Sequence, residues 1–315
     1  MELKVQNVSK TYKSPQKIVE ASKNLNFQAK DGEVIGLVGA NGAGKTTLIK
    51  MICNLVHPTK GAIYIDGKNV RNYKKIVEQN VGVVLEGARN VYNFLSVQEN
   101  LEYFSYLNGL SKKEMKAKND ELLEMFALED KRKAIVNELS RGMQQKVAIM
   151  IALIKNPSIL ILDEPTLGLD IVGQLKMREV ILNLAKKENR LVFVCSHDME
   201  LIKTVCTRAL CFRGGSIVND ISLESSGFCD LDSEELVVYV SNSEQIRGLV
   251  KKHDLGEVNE DGDVIEIATK KTIEELLSHI DGSKIIKMEK RNSSLEEYLR
   301  EIEEKEYDNK KSTKS

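Results

Sequence analysis

A short run of glycines followed by lysine and threonine is the part of the chain whose spacing most clearly allows chemistry. Residues 39–46 match the pattern G-x-x-x-x-G-K-[ST] at every fixed position. In a loop of this kind the glycines let backbone N–H groups turn toward the α- and β-phosphates of a nucleotide. Lys45 can reach the β- and γ-phosphates, and the Thr46 hydroxyl can ligate Mg²⁺. The pattern predicts a phosphate-binding loop, which nucleotide hydrolases and kinases share.

The segments on either side of this loop favour the same interpretation. Residues 34–38 predict a short buried strand, and residues 46–52 predict the helix that follows. A strand, a glycine loop and a helix N-terminus together form an anion site, whereas the alternative is a glycine-rich turn with a chance lysine. The loop residues that we expect to contact a nucleotide are Gly39, Ala40, Asn41, Gly42, Ala43, Gly44, Lys45, Thr46 and Thr47.

Two adjacent carboxylates end an apolar segment farther along the chain. Residues 159–162 are continuously apolar and are followed by Asp163 and Glu164. At a strand end beside the phosphate loop, Asp163 can hold hydrated Mg²⁺, and Glu164 can polarise the attacking water as a general base. The alternative is a strand followed by an acidic turn. The phosphate loop in the same chain favours the catalytic interpretation.

A third motif stands between these two and carries a family resemblance. Residues 139–146 read Leu-Ser-Arg-Gly-Met-Gln-Gln-Lys and precede an apolar helical run at 147–154. Ser140 is a natural N-cap, and a helix N-terminus beside a glycine can bind an anion. Here the sequence resembles the ATP-binding-cassette (ABC) family, whose defining motif begins Leu-Ser-Gly-Gly. The resemblance implies nucleotide contacts from Ser140, Arg141, Gly142 and Met143.

The resemblance covers residues 1 to about 218 and assigns roles to further positions. His197, at the end of an apolar strand, would hydrogen-bond the γ-phosphate and act in catalysis with Glu164 and Lys45. Asp170, after Gly168 and Leu169, matches the D-loop of the family, and Glu86 matches the Q-loop position that contacts the metal. Tyr12 matches the aromatic residue that stacks on adenine, for which the alternative is an exposed strand tyrosine.

Two of these positions depart from the family pattern. Glu86 stands where the family carries glutamine, and a carboxylate can ligate Mg²⁺ but cannot donate a hydrogen bond. Arg141 stands where the family carries glycine. Its side chain either points away from the nucleotide or adds positive charge near it, and the sequence leaves both alternatives open.

The resemblance also implies partners and cofactors. Members of the family bind ATP with Mg²⁺ between two head-to-tail cassettes and drive a separate membrane permease, so we expect a peripheral protein at the cytoplasmic face of the membrane. A homodimer is favoured, and a heterodimer stays open. The segment 293–299 resembles, more weakly, the tail of bacterial drug- and antibiotic-export subunits, which indicates export. Soluble cassette proteins of translation or DNA repair are the alternative, but they carry a second cassette or a long coiled-coil insertion that this sequence lacks.

The composition and the distribution of apolar residues limit the kinds of protein that this chain can be. The 315 residues are 42% hydrophobic with a net charge of −1, which predicts a sizeable core and gives no reason to expect nucleic acid as a partner. The five cysteines show no C-x-x-C spacing and indicate reduced thiols. The longest apolar run, 147–154, is far shorter than the roughly 18 to 20 residues of a membrane span. We therefore expect no membrane-spanning segment.

The order of these patterns predicts an α/β protein, namely a P-loop NTPase cassette of the ABC type at residues 1–218. It should contain a parallel core sheet, an antiparallel β subdomain and a helical subdomain. We expect a linker at 219–233, a small α+β domain at 234–303 and a disordered tail at 304–315.

Overall fold

The computed structural model describes residues 1–14, 17–85, 90–186, 188–223, 234–241, 244–253, 255, 257–261, 264–269, 275–276, 278–280 and 284–292. The chain divides into two compact units, Met1–Leu223 and Glu224–Ser315. None of the helices in the described part of the chain combines the length and the apolar character that a bilayer span requires.

The first unit contains ten strands and seven helices in its described residues. The strands are β1 (Glu2–Lys13), β2 (Ile18–Lys30), β3 (Val34–Val38), β4 (Lys60–Ile65), β5 (Lys68–Asn69), β6 (Val81–Val84), β7 (Ile159–Asp163), β8 (Leu191–Cys195), β9 (Arg208–Arg213) and β10 (Ser216–Ser222). The helices are α1 (Lys45–Ile52), α2 (Lys74–Asn80), α3 (Val97–Leu107), α4 (Lys112–Met125), α5 (Arg141–Leu153), α6 (Ile171–Lys186) and α7 (Met199–Val205).

A six-stranded sheet in the order β10-β9-β3-β8-β7-β6 forms the centre of this unit. Neighbours from β6 to β9 pair in parallel, and β10 pairs antiparallel to β9. Every residue of β3, β7 and β8 is buried, as the continuous apolar runs predict for strands covered on both faces. Because parallel strands end at the same edge, the segments after β3, β7 and β8 meet there.

A second sheet is antiparallel throughout, in the order β2-β1-β4-β5. Its apolar side chains and those of the six-stranded sheet contribute to one hydrophobic core. Phe27 of β2 and Phe193 of β8 meet edge to face in this core, with their ring centroids 6.3 Å apart. The predicted parallel core and antiparallel β subdomain are confirmed.

The predicted helical subdomain contains α3 and α4. Each helix begins at a serine whose hydroxyl accepts a backbone N–H, while a glutamate three residues later accepts the serine N–H. These capping boxes, Ser96 with Glu99 and Ser111 with Glu114, fix where the two helices start. A 3₁₀ turn at Glu129–Lys131 follows.

The first unit ends at Leu223, five residues after the boundary that the sequence patterns indicate. The reason is that β10 continues its pairing with β9 as far as Ser222, which lies opposite Arg208. Residues 219–222, expected in a linker, therefore belong to a strand. Residues 224–233 lie outside the described residues.

The second unit contains the strands β11 (Glu234–Ser241), β12 (Glu257–Asp261), β13 (Val264–Thr269) and β14 (Ile285–Asn292), and the helix α8 (Glu244–His253). The strands form an antiparallel sheet in the order β12-β13-β11-β14. Apolar stretches at 236–240, 263–268 and 284–288 predict β11, β13 and β14, and the pattern at 243–253 predicts α8. Nothing predicts β12, whose residues are mostly charged or polar. The helix that the pattern at 294–305 predicts and the tail expected at 304–315 lie outside the described residues.

Candidate active site

A cavity of about 370 Å³ opens at the edge where β3, β7 and β8 end. It is lined by residues 40–47, Asp163, Glu164, Leu167, Cys195 and His197. A larger open groove of about 990 Å³ is lined by other segments, including residues 154–158 and 188–190, and none of the predicted site residues lines it. The smaller cavity is the one that holds the chemistry.

The phosphate loop curves around the side chain of Lys45. This side chain is 7% exposed, and its Nζ donates hydrogen bonds to the carbonyl oxygens of Gly39 and, at 3.1 Å, Ala40. Both acceptors are neutral carbonyl groups, so neither of them offsets the positive charge of the ammonium group. Lys45 also begins α1, whose N-terminal N–H groups favour negative charge at the same place.

Asp163 and Glu164 occupy the end of β7 beside this loop. Asp163 is buried and pairs in register with Cys195 on β8. Glu164 has a left-handed backbone with φ of 51°, and its N–H donates to the Cys195 carbonyl oxygen at 2.8 Å. A left-handed non-glycine residue is strained, and such strain is common at functional sites. The conformation directs two successive carboxylates to one edge of the sheet.

Both carboxylate oxygens of Glu164 accept hydrogen bonds from the segment after β8. Oε2 accepts from the Ser196 hydroxyl at 2.9 Å, and Oε1 accepts from the His197 N–H at 3.1 Å. Burial raises the pKa of the Glu164 carboxyl above its ordinary value, and these hydrogen bonds oppose part of that rise. A carboxylate with a raised pKa is a stronger base than a free glutamate.

The imidazole of His197 connects Glu164 to the phosphate loop. Its Nε2 lies 3.2 Å from Asn41 Oδ1 and 3.8 Å from Glu164 Oε1. The side chain is 57% exposed. The ring therefore lies at the mouth of the cavity, where it is accessible to a bound group.

The residues of the third motif lie away from this cavity. Ser140 caps α5 by accepting the Met143 N–H at 3.3 Å, and Ser140 and Arg141 are exposed. Gly142 is buried, and an added Cβ there would lie 2.3 Å from a methyl carbon of Leu169. In the single chain the motif lies beside the loop after Glu164 and does not line the cavity.

Three further residues were predicted to belong to the site, namely Tyr12, Asp170 and Glu86. Tyr12 lies on β1 and is 39% exposed, with the Lys10 ammonium 5.1 Å from its ring centroid. Asp170 caps α6 by accepting the Gly173 N–H at 2.9 Å. Neither residue lines the cavity. Glu86 lies outside the described residues.

Sequence reasoning missed the role of Ser196 as a hydrogen-bond donor to Glu164. The two residues are 32 positions apart, and only the pairing of β7 with β8 brings them together. It also missed Leu167 and Cys195 as lining residues. The position of Ser196, directly before His197, is the one sequence signal that pointed toward it.

This fold and this loop define a P-loop nucleotide-binding protein. The protein-family model described as "ABC transporter" matches residues 22–167. The ABC transporter ATP-binding protein NatA of Bacillus subtilis (strain 168) is 36% identical over 241 residues, which are 76% of this chain and 97% of NatA. The bacitracin transport ATP-binding protein BcrA of Bacillus licheniformis is 36% identical over 70% of each chain.

A solved structure agrees with these relatives. The dimeric structure of a post-hydrolysis state of the ATP-binding cassette MJ0796, bound to ADP and Pi, matches 71% of this chain and all of that chain, with a TM-score of 0.65 and 30% identity. The chain belongs to the ABC transporter family. It is an ATP-binding and ATP-hydrolysing subunit of the kind that dimerises and works with separate transmembrane subunits.

Proposed function

We propose that this protein hydrolyses Mg²⁺-ATP between two copies of itself and so drives export through a separate permease. The observation that carries the proposal is the position of Glu164. Its carboxylate is held by two donors at the edge of a cavity that Lys45, Thr46 and Asp163 also line. This arrangement supports hydrolysis, because a base, a phosphate-binding loop and metal donors are what the reaction requires in one cavity.

Nucleotide binding is assigned to the loop and to Tyr12. Lys45 and the N–H groups of residues 40–47 surround the phosphates, since Lys45 lines the cavity and its hydrogen-bond acceptors are neutral carbonyl groups. Tyr12 is exposed on β1 and is available for stacking on adenine.

The donors present fit a magnesium ion that arrives with the nucleotide. Thr46 supplies an exposed hydroxyl and Asp163 a carboxylate, both at the cavity. Among the described residues no group of three or more His, Cys, Asp or Glu side chains could hold a metal alone. Mg²⁺ prefers one or two protein oxygens together with phosphates and water, so this donor set suits it. Glu86 is proposed as a further oxygen donor. When bound, the ion would neutralise phosphate charge.

In hydrolysis Glu164 takes a proton from the attacking water, and His197 holds the γ-phosphate. Glu164 is suited to this role because both of its oxygens are oriented and burial raises its pKa. The His197 imidazole lies between Asn41 of the loop and Glu164, where it can contact a group that both approach. Lys45 stabilises the charge that develops on the phosphates.

The motif around Ser140 is assigned to the nucleotide of a second copy. Ser140 and Arg141 are exposed at the start of α5 and do not line the cavity of their own chain. The chain carries both the loop and the motif, so two identical copies related by a twofold axis would form two equivalent sites. Gly142, Met143 and Asp170 would complete the partner's site.

Export is proposed as the direction, and the cytoplasmic face of the membrane as the location. The relative named for bacitracin transport supports an antibiotic-like cargo. The test is ATP-dependent accumulation of bacitracin in inside-out vesicles that contain this protein with its co-purified membrane partner. Accumulation supports export, and ATP-dependent loss of preloaded bacitracin contradicts it.

The test of the catalytic assignment compares two variants. Glu164→Gln should bind ATP with unchanged affinity and lose multiple-turnover hydrolysis, because the amide cannot accept the proton of the water. Lys45→Ala should weaken ATP binding, because the loop loses its charge. Retained turnover in Glu164→Gln would refute Glu164 as the base, and unchanged affinity in Lys45→Ala would refute the role of the loop lysine.

A further inference from the structure

We propose that Ser196 is a positioning residue for hydrolysis, which holds the Glu164 carboxylate in the orientation that activates water. The inference rests on the proposed role of Glu164 as general base. Ser196 follows the last residue of β8 and is 2% exposed. It does not line the cavity, and its side chain contacts the site through the hydrogen bond to Glu164.

The hydrogen bonds of the Ser196 hydroxyl have a fixed direction. A hydroxyl group has one proton to donate and can accept through its oxygen. The Asp198 N–H donates to the Ser196 oxygen at 3.1 Å, and the Ser196 hydroxyl donates to Glu164 Oε2 at 2.9 Å. Ser196 is therefore a donor toward Glu164, and the carboxylate must accept.

The turn that carries Ser196 is itself held. The carboxylate of Asp198 caps α7 by accepting the Leu201 N–H at 3.0 Å, so the start of the helix fixes the residues before it. The next residue, His197, donates its N–H to Glu164 Oε1. One short turn thus binds both oxygens of Glu164, and each oxygen keeps a lone pair for water.

Glutamate needs this support because its side chain is long and rotatable. The carboxylate of Glu164 is connected to a left-handed backbone by several single bonds. Without the Ser196 donor, the His197 N–H is the one hydrogen-bond donor to this carboxylate that remains among the described residues, and a single hydrogen bond leaves the group free to turn. A displacement of about 1 Å of a catalytic group can lower the rate by about 100-fold.

The experiment measures steady-state ATP hydrolysis by the full-length chain carrying Ser196→Ala. We expect kcat to fall by roughly 10- to 100-fold and KM for ATP to stay within about twofold of the parent value. Ser196→Thr keeps the hydroxyl and should restore most of kcat. The matched control is Ser105→Ala, which removes another fully buried serine hydroxyl, bonded to Asn119 Oδ1 at 3.2 Å in the helical segment, and should leave kcat unchanged.

A double-mutant cycle separates positioning from a general structural role. Single-turnover hydrolysis is measured for Glu164→Gln with and without Ser196→Ala. If Ser196 acts through Glu164, the second substitution causes no further loss in the glutamine background. An equal proportional loss in both backgrounds would overturn the proposal, and so would a parent-like kcat in Ser196→Ala.

Two outcomes keep this proposal distinct from the assignment of Glu164. If Glu164→Gln loses turnover while Ser196→Ala keeps it, the positioning role alone is wrong. If Glu164→Gln keeps turnover, the general base is wrong. Ser196→Cys, which keeps the volume with a weaker donor, should show an intermediate kcat with parent-like thermal stability if Ser196→Ala does not fold.

Discussion

Gly44, at the start of α1, should tolerate no side chain. Its backbone has φ of 110°, which costs a non-glycine residue about 1–2 kcal/mol. An added Cβ would lie 2.6 Å from the Ala21 carbonyl oxygen and 3.3 Å from Gly215 Cα. Both contacts are backbone atoms, so relief requires a movement of the chain at a further cost of about 1–3 kcal/mol. We expect Gly44→Ala to lower the free energy of unfolding by about 2–5 kcal/mol.

Gly42 offers a matched control in the same loop. Its φ of 83° is also left-handed, but an added Cβ would meet no atom within 4 Å. Gly42→Ala should therefore lose only the conformational part, about 1–2 kcal/mol. Thermal unfolding followed by circular dichroism without nucleotide compares the two variants, and each kcal/mol corresponds to about 2–4 °C in a domain of this size. Equal losses in Gly42→Ala and Gly44→Ala would refute the steric argument.

Three further predictions concern charge and burial. The parent should gain stability relative to Glu164→Gln as the pH falls through the raised pKa of Glu164 toward the ordinary glutamate value of 4.5, because protonation removes the cost of burying the ionised carboxylate. Denaturation curves of both proteins at several pH values measure this, and a difference in stability that does not change with pH would contradict it. Arg178 lowers the pKa of the Glu200 carboxyl, so this ion pair should stabilise the fold above the ordinary glutamate pKa and lose its effect as the pH falls through the lowered value. Glu200→Gln should remove this part of the pH dependence of the free energy of unfolding. An unchanged pH profile in the variant would contradict the prediction. Ser22 is fully buried, and its hydroxyl has no hydrogen-bond partner among the described residues. Ser22→Ala removes this unsatisfied polar group and should raise the free energy of unfolding by about 1 kcal/mol. A loss of stability would show that the hydroxyl is hydrogen-bonded.

The central strands could be predicted because burial leaves a direct trace in the sequence. Residues 159–162 and 191–195 are continuously apolar, and in the structure they are adjacent strands buried on both faces. The phosphate loop followed from its spacing between a strand and a helix. These features are determined by residues that are close together in the sequence, so the sequence alone predicts them.

Other features depend on contacts that no local pattern encodes. The bond from Ser196 to Glu164 arises from the pairing of β7 with β8, and the left-handed backbone of Glu164 has no signal of its own. The strand β12 is mostly charged or polar and pairs only at the edge of its sheet, so it lacks the alternation that marks a half-buried strand. The strand β10 runs past the predicted domain boundary at residue 218 because it stays paired with β9 as far as Ser222, which lies opposite Arg208.

ATP-dependent association of Glu164→Gln is the decisive measurement for a site completed by two chains. Light scattering coupled to gel filtration, with radiolabelled ATP and Mg²⁺, gives the mass of the complex and the nucleotide bound per chain. We expect a monomer without nucleotide and, with ATP, a dimer that retains one uncleaved ATP per chain, because the motif at Ser140 completes the site of a second copy. A monomer that binds ATP without associating, or a dimer that holds only ADP, would contradict it.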